Sequence, residues 1–139
     1  GLLADNNTSG EAIRTWLAAN RGSAADAIMR LNPRYVFFQT APDDGKEPLG
    51  AAGVALPAGR AIAVDPSRHN YGALYWIDGR APALDGAFPT YRRAVVALDT
   101  GGAIRGDIRA DLYLGSGEAA GREAGRVRHT LKLWRLEPR

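Results

Sequence analysis

The chain of 139 residues contains no cysteine. That absence removes disulfides, zinc–thiolate sites and thiol nucleophiles together, and it leaves the redox compartment open, because a cysteine-free chain tolerates either. Histidine is nearly as scarce. His69 and His129 lie far apart and lack the His-Glu-x-x-His spacing that sets two imidazoles on one helix face. No metal site and no cofactor are expected, and each histidine reads as an ordinary loop or surface residue. There is no Gly-x-x-x-x-Gly-Lys-Ser/Thr phosphate loop and no Gly-x-Ser-x-Gly nucleophile elbow. No apolar run is long enough to span a membrane, and no signal peptide is visible. The chain opens Gly1-Leu2-Leu3 without methionine, which fits removal of an export signal by processing or truncation.

The net charge of +3 is small, and basic residues interleave with acids. Only towards the end do Arg122, Arg126, Arg128, Lys132, Arg135 and Arg139 outnumber Glu123 and Glu137. A nucleic-acid reader carries a stronger basic stripe with interleaved aromatics, so no nucleic-acid partner is expected. The patch suits a polyanionic wall polymer or a solvated face. With 45% hydrophobic residues, the length matches one ordinary domain with a buried core.

Helical signals open the chain. Thr8-x-x-Glu11 and Ser23-x-x-Asp26 are capping-box patterns ahead of Ala12–Ala18 and Ala27–Leu31. Asn32-Pro33 ends the second helix, because proline disfavours helical geometry in the residue before it. Tyr35–Phe38 reads as a strand, and the polar run Thr40–Pro48 as an exposed boundary. It divides a helical, linking segment 1–40 from a β-rich segment 41–139. Six short strands are expected in the second segment: Gly53–Leu56, Arg60–Val64, Ala73–Ile77, Ala94–Leu98, Ile108–Leu114 and Leu131–Leu136. Strands so punctuated by glycine and proline suggest a small barrel. An Ala-rich helix at Gly117–Gly125 interrupts them, its small residues at four-residue spacing suited to close packing. Gly115-Ser116-Gly117 with Gly121 only faintly echoes a dinucleotide fingerprint, and small-residue packing explains it better.

Carboxylates are the remaining chemistry. Asp65 follows an apolar run and precedes Pro66, and Asp99 follows Val95–Leu98 and precedes Gly101-Gly102. Each suits a turn or cap as well as a site. In Ile108–Leu114 strict alternation sets Ile108, Ala110, Leu112 and Leu114 on one face and Arg109, Asp111 and Tyr113 on the other. That second face is either solvated or functional. Gly101-Gly102 is expected to supply a turn that residues with a Cβ adopt only at a cost.

Ile62-Ala63-Val64-Asp65-Pro66, Asp99-Thr100-Gly101-Gly102-Ala103-Ile104-Arg105-Gly106 and Asp111-Leu112-Tyr113 resemble the three-aspartate (3D) domain. Asn32–Phe38 and the glycines and alanines of Gly115–Gly125 further resemble the MltA family of membrane-bound lytic murein transglycosylases. The resemblance implies a mainly β fold, a six-stranded double-psi β-barrel with two N-terminal helices and one short helix near the C-terminus. It also implies that the chain is a C-terminal portion of a larger enzyme. The implied activity cleaves the glycan strand of peptidoglycan between N-acetylmuramic acid and N-acetylglucosamine, leaving a 1,6-anhydromuramoyl end.

By motif the family's catalytic acid falls on Asp111, with Asp107 a rival in the same loop, while Asp99 and Asp65 take supporting catalytic roles. Gly101, Gly102 and Tyr113 are expected to contact substrate. A neighbouring Asp99 or Asp65 would help Asp111 stay protonated, whereas a close Arg109 would oppose it, so Arg109 is expected to point away or to be engaged by another acid. The family also implies a periplasmic, outer-membrane-associated location through a lipidated N-terminus absent from this chain. The alternative function is a non-catalytic polysaccharide-binding module, for which Tyr71, Tyr75, Trp76, Tyr113 and Trp134 offer sugar-stacking rings or core.

Overall fold

The computed structural model describes residues 9–34, 37, 39–40, 42–79, 91–125, 127 and 130–138. The expected strand Tyr35–Phe38 lies outside them except for Phe37, and so does His129. The chain forms two compact units, residues 1–43 and 44–139.

The first unit holds α1 (Gly10–Ala19) and α2 (Ser23–Met29). Ser9 caps α1, its Oγ accepting the Ala12 backbone N–H at 3.2 Å, while the expected cap Thr8 lies outside the described residues. At α2 the expected box does not form. Gly22 turns the chain at φ +94°, Ser23 is already helical, and no side chain caps the helix.

The second unit is built on one sheet. Its elements are β1 (Ala61–Ala63), β2 (Leu74–Gly79), β3 (Tyr91–Asp99), β4 (Asp111–Leu112), α3 (Gly117–Ala124) and β5 (Lys132–Leu136), with strands ordered β4-β1-β3-β2-β5. β1 runs parallel to β3, and the other pairs are antiparallel. The fold is therefore mainly β, as expected, but the described strands number five and the sheet they form is open. The sixth expected strand, Gly53–Leu56, is a turn joined only by a Leu49–Ala55 bridge. Its chain reverses through Gly50 N–H to Val54 O and Gly53 N–H to Gly50 O, both at 2.9 Å, with Gly53 at φ +77°. Gly50 lies so close to β3 that a Cβ there would stand 2.3 Å from the Leu98 carbonyl oxygen.

The expected strand Ile108–Leu114 shrinks to two residues. Ile108 is 96% exposed and does not share the buried face assigned by alternation. The reason is local: the preceding loop is tied back at Gly106, which adopts φ +91°, so the chain reaches sheet geometry only at Asp111.

Ile62, Tyr75, Ile77, Val95 and Ala97 occupy one sheet face and form the core with Val64, Tyr91 and Leu114. α3 meets this core through Ala120 and not through a glycine stripe, since a Cβ at Gly121 would meet nothing within 4 Å. A polar link secures the helix: the Tyr91 hydroxyl donates to Glu123 Oε1 at 2.8 Å. Burial, with the adjacent carboxylate, pushes the Tyr91 phenol up to about 12. Tyr91→Phe removes this hydrogen bond to a half-buried carboxylate, so urea unfolding is expected to show a loss of about 1 kcal/mol. A variant as stable as the parent would remove this hydrogen bond from the account of α3.

Candidate active site

β1 lies between two acid-bearing strands. Ala63 pairs with Asp99 of β3 on one side and with Asp111 of β4 on the other. The first pairing depends on an irregularity. Ala61 opposes Val96 and Ile62 opposes Ala97, so regular continuation would set Leu98 beside Ala63; the register shifts between Ile62 and Ala63 and sets Asp99 there. A one-residue shift exchanges one side-chain face for the other, so this bulge substitutes an acid for a leucine. The Cα atoms of Asp99 and Asp111 stand two strand spacings apart, about 10 Å. Both residues line a cavity of about 180 Å³ with Leu56, Ala61, Ile62, Ala63, Leu112 and Tyr113. Small alanine side chains on β1 leave that space open.

The three polar side chains of the cavity are each engaged. Asp99 Oδ1 accepts the Ala51 backbone N–H at 3.0 Å. The Tyr113 hydroxyl donates to Glu47 Oε2 at 2.6 Å and lies 2.9 Å from Ser116 Oγ. Desolvation, reinforced by Glu47, raises the Tyr113 phenol above its ordinary value. Segment 47–56 thus straps one side of the cavity, held by Tyr113 at one point and Asp99 at another, and it contributes Leu56 to the wall. Sequence reasoning missed Glu47 and Leu56. Nothing in the polar run distinguishes Glu47 from Asp43 or Asp44, because its partner is 66 positions away.

Arg109 does not point away from Asp111. Its Nε lies 3.2 Å from Oδ1 and its Nη2 3.3 Å from Oδ2, a fork across two half-exposed side chains. Asp111 in turn raises the Arg109 guanidinium above its usual value. The two residues lie two apart on a short extended segment, which puts both on one side of the chain.

Asp65 does not line the cavity. It is 4% exposed, and its Oδ2 accepts the Gly106 N–H at 2.8 Å while Oδ1 accepts the Ser67 N–H at 3.0 Å and the Ser67 hydroxyl at 2.8 Å. Arg105 Nη1 stands 3.8 Å away. The Gly106 and Ser67 hydrogen bonds hold its carboxyl down to about 2. Thr100 Oγ1 adds a bond to the Val64 carbonyl at 2.9 Å, so the end of β1 and the loop after β3 are tied by side chains.

Gly101 and Gly102 do not line the cavity, and neither has positive φ; the left-handed glycine of this loop is Gly106. A Cβ at Gly101 would come 3.1 Å from Ile104 Cδ1, whereas at Gly102 it would meet nothing. Asp107 is also outside the cavity, paired at 3.5 Å with Arg68. His69 bridges Asp107 and the core, its Nε2 on the Asp107 carbonyl at 3.1 Å and its Nδ1 on the Tyr75 hydroxyl at 2.8 Å. A carbonyl only accepts, so Nε2 carries the proton and Tyr75 donates to Nδ1. Among the described residues no group of three or more His, Asp or Glu side chains is placed to hold a metal ion, and no helix is long and apolar enough to cross a membrane.

Acids meeting across a short central strand, joined by a glycine-bearing loop that a third acid anchors, define a class of domain. Residues 60–137 match the model of the 3D domain family, and the chain belongs to that family. It is 32% identical over 138 residues to the membrane-bound lytic murein transglycosylase A of Vibrio cholerae, covering 98% of this chain and 37% of that protein. To the Escherichia coli K12 protein of the same name it is 33% identical over 141 residues, covering 99% of this chain and 37% of that protein. The chain therefore spans a little over a third of the length of these curated relatives. Among solved structures it resembles a membrane-bound lytic murein transglycosylase from Agrobacterium tumefaciens, at 40% identity and TM-score 0.78 over 94% of this chain and 35% of that one. It also resembles E. coli MltA with bound chitohexaose, at 29% identity and TM-score 0.80 over 96% of this chain and 40% of that one.

The depressed Asp65 carboxyl has a stability consequence of fixed sign. Its folded-state value of about 2 lies below the ordinary 3.8, so its contribution is present above about pH 4 and is lost as pH falls towards 2. Asp65→Asn is expected to flatten the decline of the urea midpoint across that window. An unchanged slope would show that the carboxylate is not what ties the loop.

Proposed function

We propose that the chain is the catalytic segment of a peptidoglycan lytic transglycosylase. In this reading it cleaves the β-1,4 bond between N-acetylmuramic acid and N-acetylglucosamine and leaves a 1,6-anhydromuramoyl end. The observation that carries the proposal is the pair Asp99 and Asp111, set on either side of Ala63 in one cavity of a 3D domain. The names of its relatives support the same reading.

Asp111 acts twice. As an acid it gives its proton to the departing glycosidic oxygen while the bond to the anomeric carbon breaks. As a carboxylate it then takes the proton of the muramoyl C6 hydroxyl, whose oxygen closes on the anomeric carbon. No water is consumed, and the nucleophile belongs to the substrate, so a second catalytic carboxylate across the bond is not required. Proton donation requires Arg109 to swing off Asp111. Both side chains are about half exposed, and such a surface pair is worth at most about 1 kcal/mol, which substrate contacts readily outweigh.

Asp99 holds the strap through Ala51, and Asp65 holds the loop that leads from β3 to Asp111. Tyr113 meets substrate at the cavity wall, and Gly101 and Gly102 meet it from the loop beyond. Residues 41–139 serve as the 3D-type catalytic domain and 1–40 as a segment of the larger enzyme. The five described strands belong to a six-stranded double-psi barrel. The polymer partner is the glycan strand of peptidoglycan. The longer protein works on the periplasmic side of the envelope, tied to the outer membrane by a lipid at its N-terminus.

Purified sacculi incubated with the protein and resolved by mass spectrometry test the reading. Soluble fragments with anhydro ends are expected, while products carrying an added water would refute the mechanism. Glycan binding with no soluble product would favour the non-catalytic module. Asp111→Asn is expected to lower turnover by at least about 100-fold with the fold intact. Arg109→Ala is expected to keep cleaving.

A further inference from the structure

The sheet face opposite the core carries an ordered, half-exposed apolar surface. On β2, Tyr75 and Ile77 point into the core, so Leu74, Trp76 and Asp78 point the other way. Their partners follow the pairing. Trp76 stands opposite Trp134 of β5 and Ala94 of β3, and Leu74 opposite Leu136 and Val96. Directly paired residues share a face and touch or nearly touch. Trp76 is 37% exposed, Trp134 46%, Leu74 51% and Leu136 46%, so two tryptophans in register on neighbouring strands belong to one half-exposed patch. Beyond them Asp78 pairs in register with Lys132 and Arg92, and Arg92 Nε contacts Asp78 Oδ1 at 3.3 Å.

This patch runs into the candidate active site. Val96 opposes not only Leu74 but also Ala61, which lines the cavity beside Ala63. The row Leu136–Leu74–Val96–Ala61 therefore joins the outer edge of the sheet to the cavity without changing face. It spans three strand spacings, about 14 Å, the length of a few linked pyranose rings.

Resting on the reading of this chain as a glycan-cleaving domain, we infer that the Trp76–Trp134 platform binds the glycan strand beyond the bond that Asp111 cuts. A pyranose ring has an apolar face of C–H groups and a rim of hydroxyl and N-acetyl groups. The indoles cover the first, and the Asp78–Arg92–Lys132 row supplies acceptor and donors for the second. An oily partner surface would not need that flanking row, and a nucleic acid would meet Asp78 unfavourably. On the side towards the cavity Trp76 is followed by Ala94, whose carbonyl accepts from Arg60 Nη1 at 3.0 Å, a further donor beside the ring.

The chain has three tryptophans, Trp16, Trp76 and Trp134, so indole N–H resonances report on the platform individually. Titrating the 139-residue chain with chitohexaose is expected to shift the Trp76 and Trp134 signals and leave Trp16 in place. Trp134→Ala, on an edge strand, is expected to raise the Kd for chitohexaose about tenfold, with Trp134→Phe recovering most of the loss. Trp76→Phe, checked by circular dichroism, provides a second variant should Trp134→Ala unfold.

Indoles unmoved by chitohexaose overturn the inference, whether or not the glycan is cleaved. Indole shifts that follow protein concentration in place of glycan, with a dimer in sedimentation, overturn it too and assign the face to a second copy. Indole shifts without cleavage of sacculi leave the platform standing and overturn the transglycosylase reading, so the two failures are distinguishable.

Discussion

The pairing of β1 with both β3 and β4 is the constraint on which the site depends. β1 has only three residues, Ala61, Ile62 and Ala63, yet two strands remote in sequence align on it. Ile62 anchors the middle of β1 by burying its side chain with Ala97 in the core. That burial is worth roughly 2 kcal/mol, and it leaves the flanking alanines on the opposite face, where the cavity opens. The irregular step after Ile62 then decides which β3 side chain meets Ala63. Had the ladder stayed regular, Leu98 would face Asp111 and the cavity would carry one acid.

The loop ends that carry these acids are secured mainly by side chains bonding to backbone. Asp65 gathers the Gly106 and Ser67 donors, Thr100 reaches the Val64 carbonyl, and Asp99 takes the Ala51 N–H. Such bonds supply partners that the short strands cannot. They also distinguish the three acids by how each is held. A carboxylate saturated with N–H and O–H donors, as Asp65 is, is stabilised in its charged form and suits anchoring. Among the described residues the one side chain bonded to Asp111 is Arg109, a guanidinium on a half-exposed stem.

The sheet has two different faces. One is closed by Tyr75, Ile77, Val95 and α3, with Tyr91 and Glu123 securing the helix. The other carries acids over β4, β1 and β3 and half-exposed indoles over β2 and β5. Core packing on the first face gives the second its rigidity, because alternation makes every buried side chain a spacer for its exposed neighbours.

Three of the six expected strands appear within a few residues of their expected bounds, because Ala61–Ala63, Leu74–Gly79 and Lys132–Leu136 carry their own apolar patterns. β3 was legible for the same reason and extends back to Tyr91. The three aspartates and their motifs were equally visible, since chemistry-bearing residues and their spacing are written in one dimension. Alternation misled at Ile108, where a loop tied at Gly106 overrode the local pattern, and it misled at Gly53–Leu56, where contact with Leu98 demanded a turn.

Family and β character were therefore determined by the sequence alone, which also carries the three aspartate motifs. Tertiary structure decided that Asp99 and Asp111 share a cavity while Asp65 does not, that Glu47 reaches Tyr113, and that Asp99 takes the Ala51 N–H. The physical reason is that strand register, a bulge and loop closure are set by which distant segments bury each other. Those choices depend on pairs of residues 30 to 70 positions apart, which no local period or motif encodes.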